Sequence, residues 1–425
     1  MTTTMPPVRS TAPGADEKPA FGRRQVHAVA ACYFVASFAA LGLPPYLTAI
    51  LPELGDEAAR WAGLLYVVPT VFGALGAPLW GRLADRFGRK RLLLRAQLGL
   101  AVSFLLAGWA DSLATFTAAL VLQGILGGTF AASNGYLAAA LDGPGLSKAL
   151  TLMQGSARAA LVFAPIVVGS LSPWMSPHRQ YALLAVLPLA AAVMLYALPE
   201  PGTERTAKDS GSEPAGEGSE SAGCLPSAGV ARTPLTALYT FEFAFVFSTV
   251  ISFPYLISLI EERIPGTSPA VSGVLFALPH LFYLLFAMKV HARFTDRPRL
   301  GIGLGFGFIA LGLAGHGVAD SLAAFTVVRV LLGAGLTLGL VCLSVLAADC
   351  AKGRPPGGMF GSLEFVSKGG AVAAGLAAAA GNSLLGPTAP VLIGTAVALG
   401  TAAVVALRSL FHGPIPRSPR IRWSR

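Results

Sequence analysis

Apolar runs of about twenty residues alternate along this chain with short polar strips. A helix needs about 20 mostly apolar residues to cross a bilayer, and on that length the pattern predicts twelve spans. Six lie near residues 27–50, 61–80, 92–110, 113–138, 148–171 and 180–198, numbered here as helices 1 to 6. Six more, helices 7 to 12, lie near 236–259, 270–290, 300–318, 322–347, 358–380 and 388–410. Proline and glycine inside several spans are compatible with this reading, because neighbouring helices re-satisfy freed backbone groups in a membrane. Between the two sets, "EPGTERTAKDSGSEPAGEGSESAG" has too little apolar content to bury a core and predicts a disordered linker. The expected organisation is a tail over 1–25, a bundle over 26–199, a linker over 200–232, a second bundle over 233–410 and a basic tail over 411–425.

Composition agrees with lipid as the main solvent. Of the 425 residues 54% are hydrophobic and only 12% charged, about half the charge of a soluble domain. The net charge of +10 raises the question of nucleic acid. A nucleic-acid binder clusters Lys and Arg on one solvated face, whereas here they fill strips between apolar runs, so no nucleic-acid partner is expected. Those strips instead assign the sides of the membrane. With the N-terminus inside, the inner connections hold Arg82 to Arg95, Lys148, Arg205, Lys208, Arg232, Arg293 to Arg299, Lys352, Arg354 and the tail. The outer ones hold Arg60, Arg179 and Arg263. Both termini and the linker are thus expected in the cytoplasm, in a multi-pass protein of the plasma (inner) membrane. The first 25 residues read as a cytoplasmic tail, since the apolar run behind them is longer than a signal peptide's. Cys32, Cys224, Cys342 and Cys350 show neither CxxC spacing nor a histidine cluster, so no metal site and no cofactor is implied.

The chain also repeats itself. "PPYLTAI" at Pro44 returns as "FPYLISL" at Phe253, and "ADSLATFTAALVLQG" at Ala110 returns as "ADSLAAFTVVRVLLG" at Ala319, both shifted by 209. Gly63 and Pro69 return as Gly273 and Pro279, "MQGS" at Met153 returns as "MFGS" at Met359, and Asp85 falls opposite Asp296. Matches in this order make the chain two six-helix halves of like orientation.

Between helices 2 and 3 stands "GRLADRFGRK", residues 81–90. With the duplicated twelve-helix plan, this loop resembles the major facilitator superfamily at Gly81, Leu83, Ala84, Asp85, Arg86, Gly88, Arg89 and Lys90. The resemblance, which covers roughly residues 25–410, implies an all-α integral membrane fold of two pseudo-symmetric bundles. It implies alternating access around a midplane site, with no enzymatic activity, and a latch at Asp85 and Arg89 that holds the halves closed on the cytoplasmic side in one state. Positive-inside topology accounts for Arg91 and Arg95 but not for the acid at Asp85.

Ionisable residues inside spans are costly and are functional candidates by default. They are Arg158 in helix 5, Glu242 in helix 7, Arg329 in helix 10, and Glu364 with Lys368 in helix 11. The repeat sets Arg158 opposite Glu364, which predicts an ion pair across the halves, while Glu364 and Lys368 are spaced i,i+4 on one helix face. The resemblance places helix 7 at the central cavity, with Tyr33 as the repeat partner of Glu242. Glu242 is the first candidate for proton carrier and Glu364 the second, because a buried carboxylate can exchange a proton for a cationic neighbour. Gln123 and Asn134 in helix 4 are candidates to line a cavity, as are the aromatics of helices 1 and 7, and His280 in helix 8 reads as a packing residue or a cavity group.

Within the superfamily the sequence is similar to the twelve-helix drug:proton antiporters and to siderophore exporters, with departures. The helix 4 Arg of that branch is Leu120 here, while its repeat position keeps Arg329. The helix 5 pattern Gly-Pro-x-x-Gly-Gly survives as Ala164, Pro165 and Gly169. The function expected is proton-coupled export of a small polar, siderophore-like metabolite or a drug by a monomer in the lipid bilayer. Arg158, Arg329 and Lys368 suit an anionic or polar cargo better than a lipophilic cation. The alternatives are a proton-coupled nutrient importer and, in another class, a transport-dead sensor or a membrane enzyme. The absence of a P-loop argues against ATP-driven transport.

Overall fold

The computed structural model describes residues 22–141, 143–198, 235–351 and 356–411. The expected linker and both tails lie outside these residues, as do the side chains of Arg82, Asp85 and Asn134. Among the described residues there are helices and no strands. Helix 1 runs Arg23–Leu54, helix 2 Ala62–Phe87, helix 3 Arg89–Gly108, helix 5 Gly143–Leu171 and helix 6 Pro177–Tyr196. Helix 4 is two pieces, Leu113–Leu126 and Thr129–Ala140. In the second half, helix 7 runs Leu235–Arg263, helix 8 Pro269–Phe294 and helix 9 Pro298–His316. Helices 10, 11 and 12 run Leu322–Ala351, Pro356–Leu385 and Ala389–Phe411. Ten of the twelve are long and apolar enough to cross a membrane in a described stretch, and helices 2 and 4 add the shorter apolar pieces Ala62–Gly76 and Leu113–Leu126. The chain is a multi-pass membrane protein of two six-helix bundles.

Local chemistry explains where the rods bend. Helix 1 tightens into a 3₁₀ turn at Pro44–Tyr46 and helix 7 into one at Phe253–Tyr255, 209 residues later. Proline has no N–H to continue the i−4 ladder, so the backbone tightens at both copies. The single span expected for helix 4 is interrupted at Gly127 and Gly128, where Gly128 adopts φ +85°. L side chains avoid that region, and glycine makes the break possible. Arg95 from helix 3 covers the carbonyls there, donating from Nη2 to Ile125 O at 3.0 Å and from Nη1 to Gly127 O at 3.5 Å. Its guanidinium lies 3.1 Å from the centroid of Trp80, whose indole donates to the same Ile125 O at 2.8 Å.

The halves meet along two seams. Helix 5 packs on helix 8, and helix 2 on helix 11. Both seams close toward the end that carries the 55–61 and 264–268 connections, the outer end in the orientation predicted by the charges. A Cβ on Gly169 would lie 2.2 Å from Pro269 O, and one on Gly63 would lie 2.6 Å from Gly375 O. Toward the other end helices 2 and 11 part around a crevice of about 330 Å³, lined by Thr70, Ala74, Leu75, Phe365, Lys368 and Val372. Among the described residues the seams are therefore tight toward the outer end, and the helix 2–helix 11 seam holds a crevice farther along.

Candidate functional site

Charged side chains from several helices meet where the halves face each other. Arg158 of helix 5 points at helix 8. Its Nη1 lies 3.5 Å from His280 Nδ1, and its guanidinium sits 5.6 Å from the Tyr283 ring centroid. Glu242 of helix 7 hydrogen-bonds Ser367 of helix 11 and lies within electrostatic reach of Glu364 and Arg158. Tyr33 of helix 1 is buried and interacts with the same two charges. One residue from each of helices 1, 5, 7 and 11 thus belongs to a single polar cluster in an apolar setting, as the repeat alignment of Tyr33 with Glu242 and of Arg158 with Glu364 suggests.

The ion pair expected between Arg158 and Glu364 is not formed among the described residues. Glu364 Oε1 instead accepts from Lys368 Nζ at 3.3 Å, one turn along the same helix. The cause is tertiary: helix 5 is held against helix 8, and helix 11 leans on helix 2. Arg158 therefore has no carboxylate at ion-pair distance among the described residues. The Glu364 and Lys368 side chains are 67% and 38% exposed, open to the parted end of the molecule.

Arg329 occupies a different position. It is fully buried in the second half, where Nε donates to Leu275 O at 2.7 Å and Nη2 to Phe276 O at 2.8 Å. Leu275 is four residues before Pro279, so its carbonyl is the one that Pro279 cannot satisfy. The guanidinium fills the gap that the proline leaves in helix 8. That task accounts for two of its donors, and Nη1 is buried with no partner. His280 is likewise buried, with Nε2 unpartnered. Gln123 is half-buried on the first piece of helix 4.

The loop between helices 2 and 3 makes its described contacts within the first half. Gly88 turns the chain at φ +94°. Arg89 Nη1 donates to Gly135 O on helix 4 at 2.8 Å, and Lys90 Nζ donates to Tyr196 O on helix 6 at 3.0 Å. Arg86 is exposed against Phe87. Gly81 and Asp85 belong to helix 2, and the Asp85 carboxylate lies outside the described side chains.

Several residues of the site escape a reading of the sequence. Ser367 carries no distinctive signal, being one hydroxyl in an apolar helix. Tyr283 could have been found, since it lies three residues after His280 on the same helix face. Tyr46 and Tyr255, expected as cavity walls, are instead buried with their hydroxyls on backbone groups between the halves. Phe241 and Phe245 pack into the core of the second half.

Comparison with known proteins agrees with this architecture. A family model described as Major Facilitator Superfamily matches residues 29–263. The chain is 33% identical over 168 residues to the multidrug resistance protein MdtG of Serratia proteamaculans, covering 39% of each protein. It is 35% identical over 155 residues to the protein of that name from Yersinia enterocolitica, covering 35% of this chain and 36% of the relative. The alignments thus span about two fifths of the length of these curated relatives. Among solved structures, a POT family transporter in complex with 5-aminolevulinic acid superimposes with TM-score 0.70 at 12% identity over 91% of this chain and 96% of the other. The human organic anion transporter MFSD10 does so with TM-score 0.63 at 20% identity, over 90% and 99%. At these identities the likeness establishes the fold.

Proposed function

This chain belongs to the major facilitator superfamily, and we propose that it is a secondary transporter, not an enzyme, exporting a small polar metabolite or drug against proton entry. The observation that carries the reading is the cluster of Tyr33, Arg158, Glu242 and Glu364 on four helices between the bundles. A site shared by two rocking bundles is remade in each state, so charges there exchange partners as the halves move. Glu242 is the proton carrier in this scheme and Glu364 the second carboxylate. Among the described residues Arg158 has no carboxylate at ion-pair distance, so in this scheme it serves either acid or an anionic group of the cargo. Asp85 and Arg89 belong to the latch that closes the parted end in the opposite state. Export in preference to import is supported by the similarity to the multidrug resistance proteins MdtG. The protein works as a monomer in the inner membrane, with both termini in the cytoplasm.

The test is accumulation in cells that produce the full chain, using a panel of drugs and iron-chelating metabolites. Export lowers the intracellular level of at least one compound, and a protonophore restores it. Faster uptake of an external nutrient, with no compound expelled, overturns the direction. No gradient-dependent flux of any kind overturns transport itself.

A further inference from the structure

The two tyrosines between the halves form a matched pair. Tyr46 is 1% exposed, and its hydroxyl lies 2.6 Å from Pro165 O of helix 5 and 3.1 Å from Pro269 O of helix 8. Tyr255 is 2% exposed, donates to Arg60 O at 3.2 Å and accepts from Gly63 N at 3.1 Å. Each tyrosine thus leaves its own bundle to bond the start of the helix that opens the other bundle's seam. Tyr46 becomes Tyr255 at a repeat shift of 209, while at the starts of helices 2 and 8, where Gly63 becomes Gly273, the shift is 210 and sets Arg60 opposite Ala270, one residue from Pro269. The tyrosines are repeat partners, so each half sends one hydroxyl across the same end of the seam, Tyr255 to Arg60 O and Gly63 N, and Tyr46 with its single proton shared between Pro165 O of its own half and Pro269 O.

The surroundings fix both acceptors. Asp56 Oδ2 accepts from Trp61 N at 3.0 Å and pins the connection that presents Arg60 O. Ser268 Oγ accepts from Val271 N at 3.4 Å and caps the first turn of helix 8, which presents Pro269 O. Close packing confines the Tyr46 hydroxyl. A Cβ on Gly273 would lie 2.3 Å from Pro165 O and 2.8 Å from Tyr46 Oη, and one on Gly169 would lie 2.5 Å from the same oxygen. When the seams part, each hydroxyl loses its partner in the opposite half. Water entering the opened end replaces those contacts, so the closed end keeps their net worth as its advantage.

We propose that Tyr46 and Tyr255 together form the latch that holds the outer end shut: on outward opening Tyr255 releases its bonds to Arg60 O and Gly63 N, and Tyr46 releases Pro269 O while keeping Pro165 O. The latch rests on the alternating-access reading for its purpose, but its effect on the outer distance stands by itself. The Gly63, Gly169, Gly273 and Gly375 contacts bring the helices close enough for the hydroxyls to reach.

The experiment is electron–electron distance measurement on the full chain in lipid nanodiscs, with its native cysteines replaced. Spin labels go on Glu57→Cys and Pro265→Cys across the outer end, and separately on Arg86→Cys and Lys289→Cys across the inner end. Tyr46→Phe and Tyr255→Phe keep the ring and remove only the hydroxyl. Tyr255→Phe should raise the ratio of outer-open to outer-closed molecules at least about 2–10-fold, the worth of one net hydrogen bond, Tyr46→Phe should raise it less, and the double variant should multiply the two factors. Gly375→Ala, which wedges the helix 2–helix 11 seam against Val67 and Gly63 O and meets neither Tyr46 nor Tyr255, should open the outer end further. Unchanged outer distances in both Phe variants, with melting temperatures like the parent's, overturn the latch. An outer pair that lengthens while the inner pair stays put supports the latch and counts against alternating access, so the two readings fail separately.

Discussion

Arg329→Met removes both hydrogen bonds described from Arg329 to helix 8 while keeping an unbranched apolar side chain. Two hydrogen bonds disappear, at 2.7 Å to Leu275 O and 2.8 Å to Phe276 O. Polar contacts inside membrane proteins average about 0.6 and reach about 1.7 kcal/mol each. The larger loss is the Leu275 carbonyl, stranded in a dry interior because Pro279 cannot serve it, and an unsatisfied group there costs several kcal/mol. Relief from burying a guanidinium that has no carboxylate partner offsets part of this. The sum is a destabilisation of about 2–4 kcal/mol. Pro279→Ala supplies the missing N–H, so in the Arg329→Met background it should recover about 1 kcal/mol or more of that loss. In the parent, where Arg329 already serves the carbonyl, the same change should gain little. The assay is reversible unfolding in mixed micelles titrated with denaturing detergent, read as a double-mutant cycle. Arg329→Met within about 0.5 kcal/mol of the parent, or a Pro279→Ala effect equal in both backgrounds, refutes the assignment of Arg329 to the proline gap.

Other outcomes can be checked independently. Glu242→Gln should abolish pH-driven flux in proteoliposomes while the protein stays folded; undiminished flux would move the proton to Glu364 or elsewhere. Asp85→Asn should slow transport without lowering thermal stability, and full activity would dismiss the cytoplasmic latch. Gly128→Ala, forced to φ near +85° at the helix 4 break, should destabilise by about 1–2 kcal/mol in the same unfolding titration. Gly155→Ala on helix 5, where a Cβ meets nothing within 4 Å, should be neutral or stabilising by up to about 1 kcal/mol.

Much of the architecture is legible in the chain because membrane helices are specified by a coarse signal. Twenty apolar residues suffice for a span, and each of the twelve expected runs is a helix, although Gly127 and Gly128 divide one of them. The repeat also carried structural detail: "PPYL" and "FPYL" predict equivalent positions, and both fold as 3₁₀ turns. The candidate site was legible as a set of residues, since a charge inside a span is conspicuous against apolar neighbours. Its pairing was not. Glu364–Lys368 follows from spacing along one helix, but whether Arg158 meets Glu364 or His280 depends on which seam is closed.

The sequence by itself determined the number of helices, the doubling of the bundle, and which residues would be costly to bury. Those properties depend on local composition and on period, which need no knowledge of neighbours. Only the tertiary structure decided what each polar group is for. Arg329 and Arg158 look alike in the chain, each a lone cation in an apolar run. Packing gives Arg329 the carbonyl freed by Pro279 and leaves Arg158 facing His280 at the seam. Tyr46 and Tyr255 look like wall aromatics until two helix starts, far away in sequence, are brought within reach of their hydroxyls. A hydrogen bond is a short-range, directional contact, so its partner is fixed by the docking of whole helices and not by the pattern along any one of them.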